Sequence, residues 1–170
     1  MTLKSSIVLL KNCSSYEGDW NHDKAEGEGK LYHTNGDHYS GEWRNDRANG
    51  FGTFTQSDGA RYEGNWKDDL QHGQGKEYWR DGAMFSGQFV EGKKHGQGKM
   101  NFPDNSYYEG EFRHNRIEGY GRFQWANGRK YEGDWKGNCM HGRGCLSFED
   151  QRVYEGRFED GLMQGRGVMK

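Results

Sequence analysis

Three histidines, His72, His95 and His141, recur at one point of a repeated figure, each just ahead of a Gly-x-Gly pair. Imidazoles in series suggest a zinc site. The carboxylates Glu63, Glu109, Glu132 and Glu155 likewise suggest acid–base chemistry. Both ideas fail on distance. Members of each set are separated by 23 residues or twice that. If one period is a pair of β-strands, neighbours in a set stand roughly 10 Å apart, whereas zinc ligands sit about 2.1 Å from the metal. Cys139, His141 and Cys145 are close in sequence but offer neither a Cys-x-x-Cys pair nor a fourth ligand. The Gly-x-Gly pairs lie mid-strand, without the following helix or lysine of a phosphate loop. No nucleophile–base pair stands out from the period, so the expectation is a protein with no catalysis, no metal and no cofactor.

The figure itself is the main signal. Tyr16, Tyr39, Tyr62, Phe85, Tyr108, Tyr131 and Tyr154 each open it, with Gly two positions on and Trp or Phe four positions on. A Gly-x-Gly pair follows each time, from Gly27/Gly29 to Gly165/Gly167, and no insertion breaks the 23-residue register. A fixed short period marks an array of small units that fold only by stacking on one another. Six full repeats are read at 16–38, 39–61, 62–84, 85–107, 108–130 and 131–153, and a partial seventh at 154–170. Residues 1–15 align with the second half of a repeat (Ser6, Val8 and Leu10 with Gly98, Met100 and Phe102) and are read as a degenerate half-repeat capping the N-terminal edge.

Inside a repeat the alternation has period two, which means strands: Tyr62, Gly64 and Trp66 share one face, Glu63 and Asn65 the other. A polar turn joins two strands into a hairpin. Asn35-Gly36, Asp58-Gly59, Asp81-Gly82 and Asn127-Gly128 are read as the tight turns that start the next one. Glycine weakens a strand unless something approaches closely. Here each leaves a hole on the aromatic face that a neighbouring ring can cover. Composition agrees: mean hydropathy is -1.27, but aromatics reach 15%, 28 glycines keep the period, and the net charge is only -2. That charge argues against a nucleic-acid binder, which needs a basic excess. Cys13, Cys139 and Cys145, odd in number and off the period, read as reduced thiols. The apolar run Ile7 to Leu10 is too short for a membrane span. The expectation is a soluble, intracellular protein.

The Tyr-x-Gly-x-Trp/Phe opening with its following Gly-x-Gly, at this spacing and in seven copies from Tyr16 to Lys170, resembles the MORN (membrane occupation and recognition nexus) repeat. Phe85 in place of the opening Tyr, Phe89, Phe112 and Phe158 in place of Trp, and Asn105 and Gln151 in place of the turn glycine depart from it. The resemblance implies an all-β, elongated, twisted single-sheet antiparallel β-meander or solenoid of 23-residue hairpins with an aromatic groove. It also implies a non-enzymatic scaffold or adaptor, in the cytoplasm and in cytoskeletal, ciliary or membrane-apposed assemblies.

Specificity belongs where the repeats differ. The groove residues expected to hold an extended or helical partner segment are Tyr39, Trp43, Tyr62, Trp66, Phe85, Phe89, Tyr108 and Phe112; the same rings also read as core packing. Ile117, Met140, Leu162 and Met163 are read on successive hairpin turns, either tucked under them or forming an apolar stripe for a partner. Phe51 and Tyr120 are large aromatics on the polar face. Charge is uneven: residues 1–84 carry a net -4 and 85–145 a net +3. Lys93, Lys94, Arg113 and Arg116, read on two consecutive turns, suggest a competing function as a phosphoinositide or anionic-membrane module, each cation adding about 1 kcal/mol. Finally, Gly165 to Lys170 is read as an uncovered strand edge suited to a homodimer or to a strand from a partner.

Overall fold

The computed structural model describes residues 2–9 and 14–170, with side chains at Ile7, Val8 and from Ser14 onward. The strands are β1 (Thr2–Leu9), β2 (Ser15–Asn21), β3 (Lys24–Tyr32), β4 (His38–Arg44), β5 (Arg47–Thr55), β6 (Arg61–Lys67), β7 (Leu70–Tyr78) and β8 (Met84–Val90). They continue with β9 (Lys93–Asn101), β10 (Tyr107–Arg113), β11 (Arg116–Gln124), β12 (Lys130–Lys136), β13 (Cys139–Ser147), β14 (Val153–Glu159) and β15 (Leu162–Met169). The fold is all-β: one 15-stranded antiparallel sheet whose hydrogen-bonded order is chain order. Contacts divide it into two compact units, Met1–Arg80 with Phe89–Gly92, and Asp81–Gln88 with Lys93–Lys170. Within residues 1–15, β1 runs antiparallel to β2, with Val8 paired to Tyr16. Leu10 and Cys13, which the sequence reading also used, lie outside the described residues.

Both units are built from one packing act. Each opening ring lies over two glycines of its own hairpin, so that in the first unit a Cβ on Gly52 would stand 2.5 Å from Tyr39 Cζ, and one on Gly75 2.6 Å from Tyr62 Cζ. In the second unit Tyr108 covers Gly121 and Tyr131 covers Gly144 in the same way. The tyrosine hydroxyl then donates to the carbonyl three residues on: Tyr39 to Glu42 at 3.1 Å, Tyr62 to Asn65 at 2.9 Å, Tyr108 to Glu111 at 3.1 Å. The ring five residues into the repeat stands edge-on between its own opening ring and that of the repeat before. Trp43 meets Tyr39 and Tyr16, Trp66 meets Tyr62 and Tyr39, and Trp135 meets Tyr131 and Tyr108, all with centroids 5.1–5.3 Å apart. Such edge-to-face pairs contribute about 0.5–1.5 kcal/mol each beyond area burial. Each of these indoles also donates to a glycine carbonyl of the preceding hairpin: Trp43 to Gly29, Trp66 to Gly52, Trp135 to Gly121, at 3.0–3.1 Å.

The two kinds of turn are the reverse of the sequence expectation. The Asx-Gly pairs lie in five-residue connections: His33 and Asp37 bracket the first one, and only Gly36 among its residues has positive φ. The tight two-residue turns are the polar ones inside the repeats. His22–Asp23, Asn45–Asp46, Asp68–Asp69 and His114–Asn115 have both central residues at φ between 47° and 69°, the primed geometry that matches strand twist. Aspartate and asparagine tolerate it, and here they also tie each turn to its predecessor. Asp46 N–H donates to Ala25 O while Ala25 N–H donates to Asp46 Oδ1; Asp69 with Ala48, Asn115 with Lys94, and Asn138 with Ile117 repeat the exchange.

A bulge explains the first glycine of each Gly-x-Gly. Gly41 pairs with Gly52 and Trp43 with Ala48, so Asn49, Gly50 and Phe51 together oppose Glu42 alone. Gly50 adopts φ +71°, and its counterparts Gly119 and Gly142 adopt +68° and +59°. The first glycine is thus a conformational requirement and the second a steric one.

Separate substitutions should expose the difference. Gly52→Ala drives a methyl into the Tyr39 ring and is expected to cost about 3 kcal/mol, the upper part of the overpacking range. Gly59→Ala meets open space at φ +91° and is expected to cost only about 1 kcal/mol of left-handed strain. Urea unfolding of both variants checks the ordering; equal losses would refute the ring-in-hole account.

Candidate functional site

The ring face of the first unit carries an open apolar hollow of about 510 Å³. Leu31 and Phe54, which flank Tyr39 as its cross-strand partners, line it with Tyr39, Trp43 and Trp66. Ala48 leaves space beside Trp43, and Leu70, 47% exposed, stands at the rim with Asp69 and His33. Asp69 is held in place by the Ala48 amide at 2.8 Å. The hollow therefore presents aliphatic and aromatic walls with one carboxylate and one imidazole at its margin, the lining expected of a site for an apolar side chain rather than for a reacting group.

The eight rings expected in the groove divide on burial. Tyr39, Trp43, Tyr62, Phe85, Phe89, Tyr108 and Phe112 are all at most 9% exposed, packed ring against ring, and only Trp66 is half-buried. They form the packed layer. Of the eight, Tyr39, Trp43 and Trp66 line the hollow. Leu31, Phe54 and Leu70 were not expected there; for Leu31 and Phe54 the signal is an apolar residue directly after Gly-x-Gly-x, whereas Leu70 follows a turn and carries none.

The apolar stripe is not on turns. Ile117 and Met140 are strand residues, half-buried and paired across from Phe112 and Trp135. Met163 likewise faces Phe158, while Leu162 pairs with Glu159 and is 66% exposed. The turns proper hold His114–Asn115, Gly137–Asn138 and Asp160–Gly161. The four cations also separate. Arg113 and Arg116 are partners flanking one turn, and Lys93 occupies the Arg116 place in its own repeat. Lys94 alternates to the ring face, with Nζ 5.2 Å over the Phe85 ring. Residues Gly165 to Lys170 are exposed; their strand pairs with β14, and Lys170 and Val153 exchange two backbone hydrogen bonds at 2.9 and 3.0 Å.

Among the described residues no group of His, Cys, Asp or Glu is placed to hold a metal. His95 instead meets His114 edge-on at 5.4 Å. Cys139 and Cys145 are free thiols, and burial pushes the Cys145 thiol up. Of the carboxylate column, Glu109 faces Lys99 at 3.6 Å and Glu132 accepts the Tyr120 hydroxyl at 3.0 Å, the chief reason that the Tyr120 phenol is raised. Phe51, on the same polar face, is 53% exposed.

Seven successive copies of the MORN repeat match the family model, at 16–38, 39–61, 62–84, 85–107, 108–128, 131–151 and 154–170. The chain belongs to the MORN repeat family. No curated protein matches it as a relative. Among solved structures, it is similar to the TCP domain of SAS-4 (dCPAP) from Drosophila melanogaster, in complex with a proline-rich motif of Ana2 (dSTIL). That likeness has 11% identity and a TM-score of 0.48 over 98% of this chain and 88% of the other. The G-box domain of the microcephaly protein CPAP is similar at 14% identity and a TM-score of 0.40, over 98% and 97% of the two chains.

The buried phenols give a pH signature. Burial pushes Tyr16 from the ordinary 10.0 to about 12, with Asp19 adding to it, and burial likewise raises Tyr39, Tyr62, Tyr108 and Tyr131. A phenol raised on folding keeps its proton where the unfolded chain loses it, so its stabilisation is complete below pH 10 and declines as pH climbs through the folded value. Phenolate absorbance should therefore lag behind that of the free amino acid above pH 10 and rise together with loss of the β-sheet circular dichroism. Smooth ionisation of every tyrosine near pH 10 with the sheet intact would refute the buried layer.

Proposed function

We propose that this chain is a non-enzymatic adaptor that receives an extended or helical apolar segment of a partner protein on the ring face of its first unit. What supports the reading is the hollow lined by Leu31, Phe54, Trp43, Trp66 and Leu70: an apolar concavity on the very face whose remaining rings are used up in packing. The packed rings supply rigidity, so little ordering has to be done on binding, and rigid concave apolar sites bind with less entropic loss than mobile ones. An adaptor of this kind suits a cytoskeletal, ciliary or membrane-apposed assembly.

Affinity capture from the native source tests it. Leu70→Glu, at an exposed position, and Leu31→Glu, in the lining, are expected to reduce recovery of the partner at least tenfold, while Phe51→Glu on the opposite face leaves recovery unchanged. Equal recovery by all four proteins would overturn the assignment of the binding face.

A further inference from the structure

Six repeats carry an internal acceptor on the polar face, and the seventh does not. The fourth residue of the repeat is Asp19, Glu42, Asn65, Gln88, Glu111 and Asp134 in turn, then Arg157. In the first six, this side chain leans over the positive-φ glycine of the bulge: a Cβ on Gly27 would meet Asp19, on Gly73 Asn65, on Gly142 Asp134. Glu42, Glu111 and Asp134 also accept the amide that follows this glycine, from Phe51 at 2.7 Å, Tyr120 at 3.3 Å and Arg143 at 2.8 Å. At Gly165, φ +65°, nothing lies within 4 Å of the corresponding point. A guanidinium has only donors and cannot take the acceptor's place.

Three arginines gather around that point, with Glu155 and Glu159 at its margins. Arg143 pairs directly across from Arg157, and Arg166 lies in the bulge opposite it, between Gln164 and Gly167. Like charges directly opposite destabilise a strand pair. Glu28 and Glu42 also stand opposite each other, but there Glu42 turns away to its glycine and amide. A hollow of about 580 Å³ is lined by Arg143, Arg157, Arg166, Gly156 and Glu155, and Glu155 is paired with Lys170 at 3.1 Å. A second hollow shares Arg157 and is lined also by Gly165, Glu159 and His141, whose Nδ1 is buried without a hydrogen-bond partner.

We propose that Arg143, Arg157 and Arg166 bind a phosphorylated serine or threonine side chain of a partner protein, the phosphoryl oxygens supplying the acceptor that the seventh repeat lacks. A single carboxylate or amide serves at the other repeats; three guanidiniums call for a group carrying about -1.5 to -2 that accepts bidentate hydrogen bonds. Glu109, Glu132 and Glu155 file along the same face. They would repel a flat anionic membrane, whereas one phosphoryl group on a side chain enters the hollow without meeting more than the last of them. The site shares no residue with the apolar hollow, so it stands or falls independently of the adaptor reading.

The test is an NMR titration of the ¹⁵N-labelled full chain with a capped pentapeptide of four alanines around a central phosphoserine. Saturable shifts are expected at the Gly165 and Arg166 amides and the Arg157 side chain, with the serine counterpart at least tenfold weaker. Arg157→Glu restores the repeat's own acceptor; it is expected to keep or raise the thermal midpoint and to weaken the phosphopeptide at least tenfold. Arg157→Gln, which supplies an acceptor without the negative charge, is expected to weaken it in the same sense. Unchanged affinity in both variants, or equal binding of the serine peptide, overturns the proposal. So does inorganic phosphate binding as tightly as the peptide, which would mark a free-anion site. Co-sedimentation with phosphatidylserine vesicles that depends on Arg157 would overturn it in favour of a membrane contact.

Discussion

A ring lying over a pair of backbone glycines is the contact on which everything else in this chain depends. It lets strands approach with no side chain between them, and it stands in for the aliphatic core that the composition does not provide. Tyr39 over Gly41 and Gly52 shows why both partners are needed. Any Cβ at either glycine collides with backbone or ring, and any smaller residue at 39 leaves a void. The hydroxyl at the ring's far end is not left bare in this packed layer, because it reaches the Glu42 carbonyl. One interaction thereby satisfies packing, polarity and register together, and the repeat period follows from having to perform it once per hairpin.

Because the shared positions are consumed by packing, variation is confined to sites that packing does not use. The apolar hollow arises where Ala48 is small and Leu31 and Phe54 are large; the arginine cluster arises where an acceptor is replaced by a donor. The two share no residue and belong to different units. The two proposed sites can therefore vary at Leu31, Phe54 or Arg157 while the packed rings stay the same, which is the usual division of labour between a scaffold and the sites grafted on it.

Much of the fold was legible in the residues. The period, the strand alternation and the placing of Tyr62, Gly64 and Trp66 on one face need only the pleat and the sequence. The turns were not, because an Asn-Gly pair carries a strong hairpin signal wherever it stands, while His22–Asp23 and Asp68–Asp69 carry little. What decides between them is the number of residues left between strand ends, and the bulge at Gly27 and its counterparts shifts that count. The bulge itself was hidden because a glycine forced by φ and a glycine forced by a neighbouring ring look alike in a sequence. The same blindness covered Arg157: it breaks a column of acceptors that is visible in the letters, but the break has meaning only once that column is seen to lean over the bulge.

The bonds that join one hairpin to the next are all short in sequence. An indole reaches a glycine carbonyl 14 residues back, and a turn aspartate reaches an amide 21 residues back. A chain held by such near neighbours closes only small loops as it orders, so the entropic barrier to forming each new hairpin on an existing one stays low. Growth by accretion, one period at a time, is then open both to the folding chain and to the gene that encodes it.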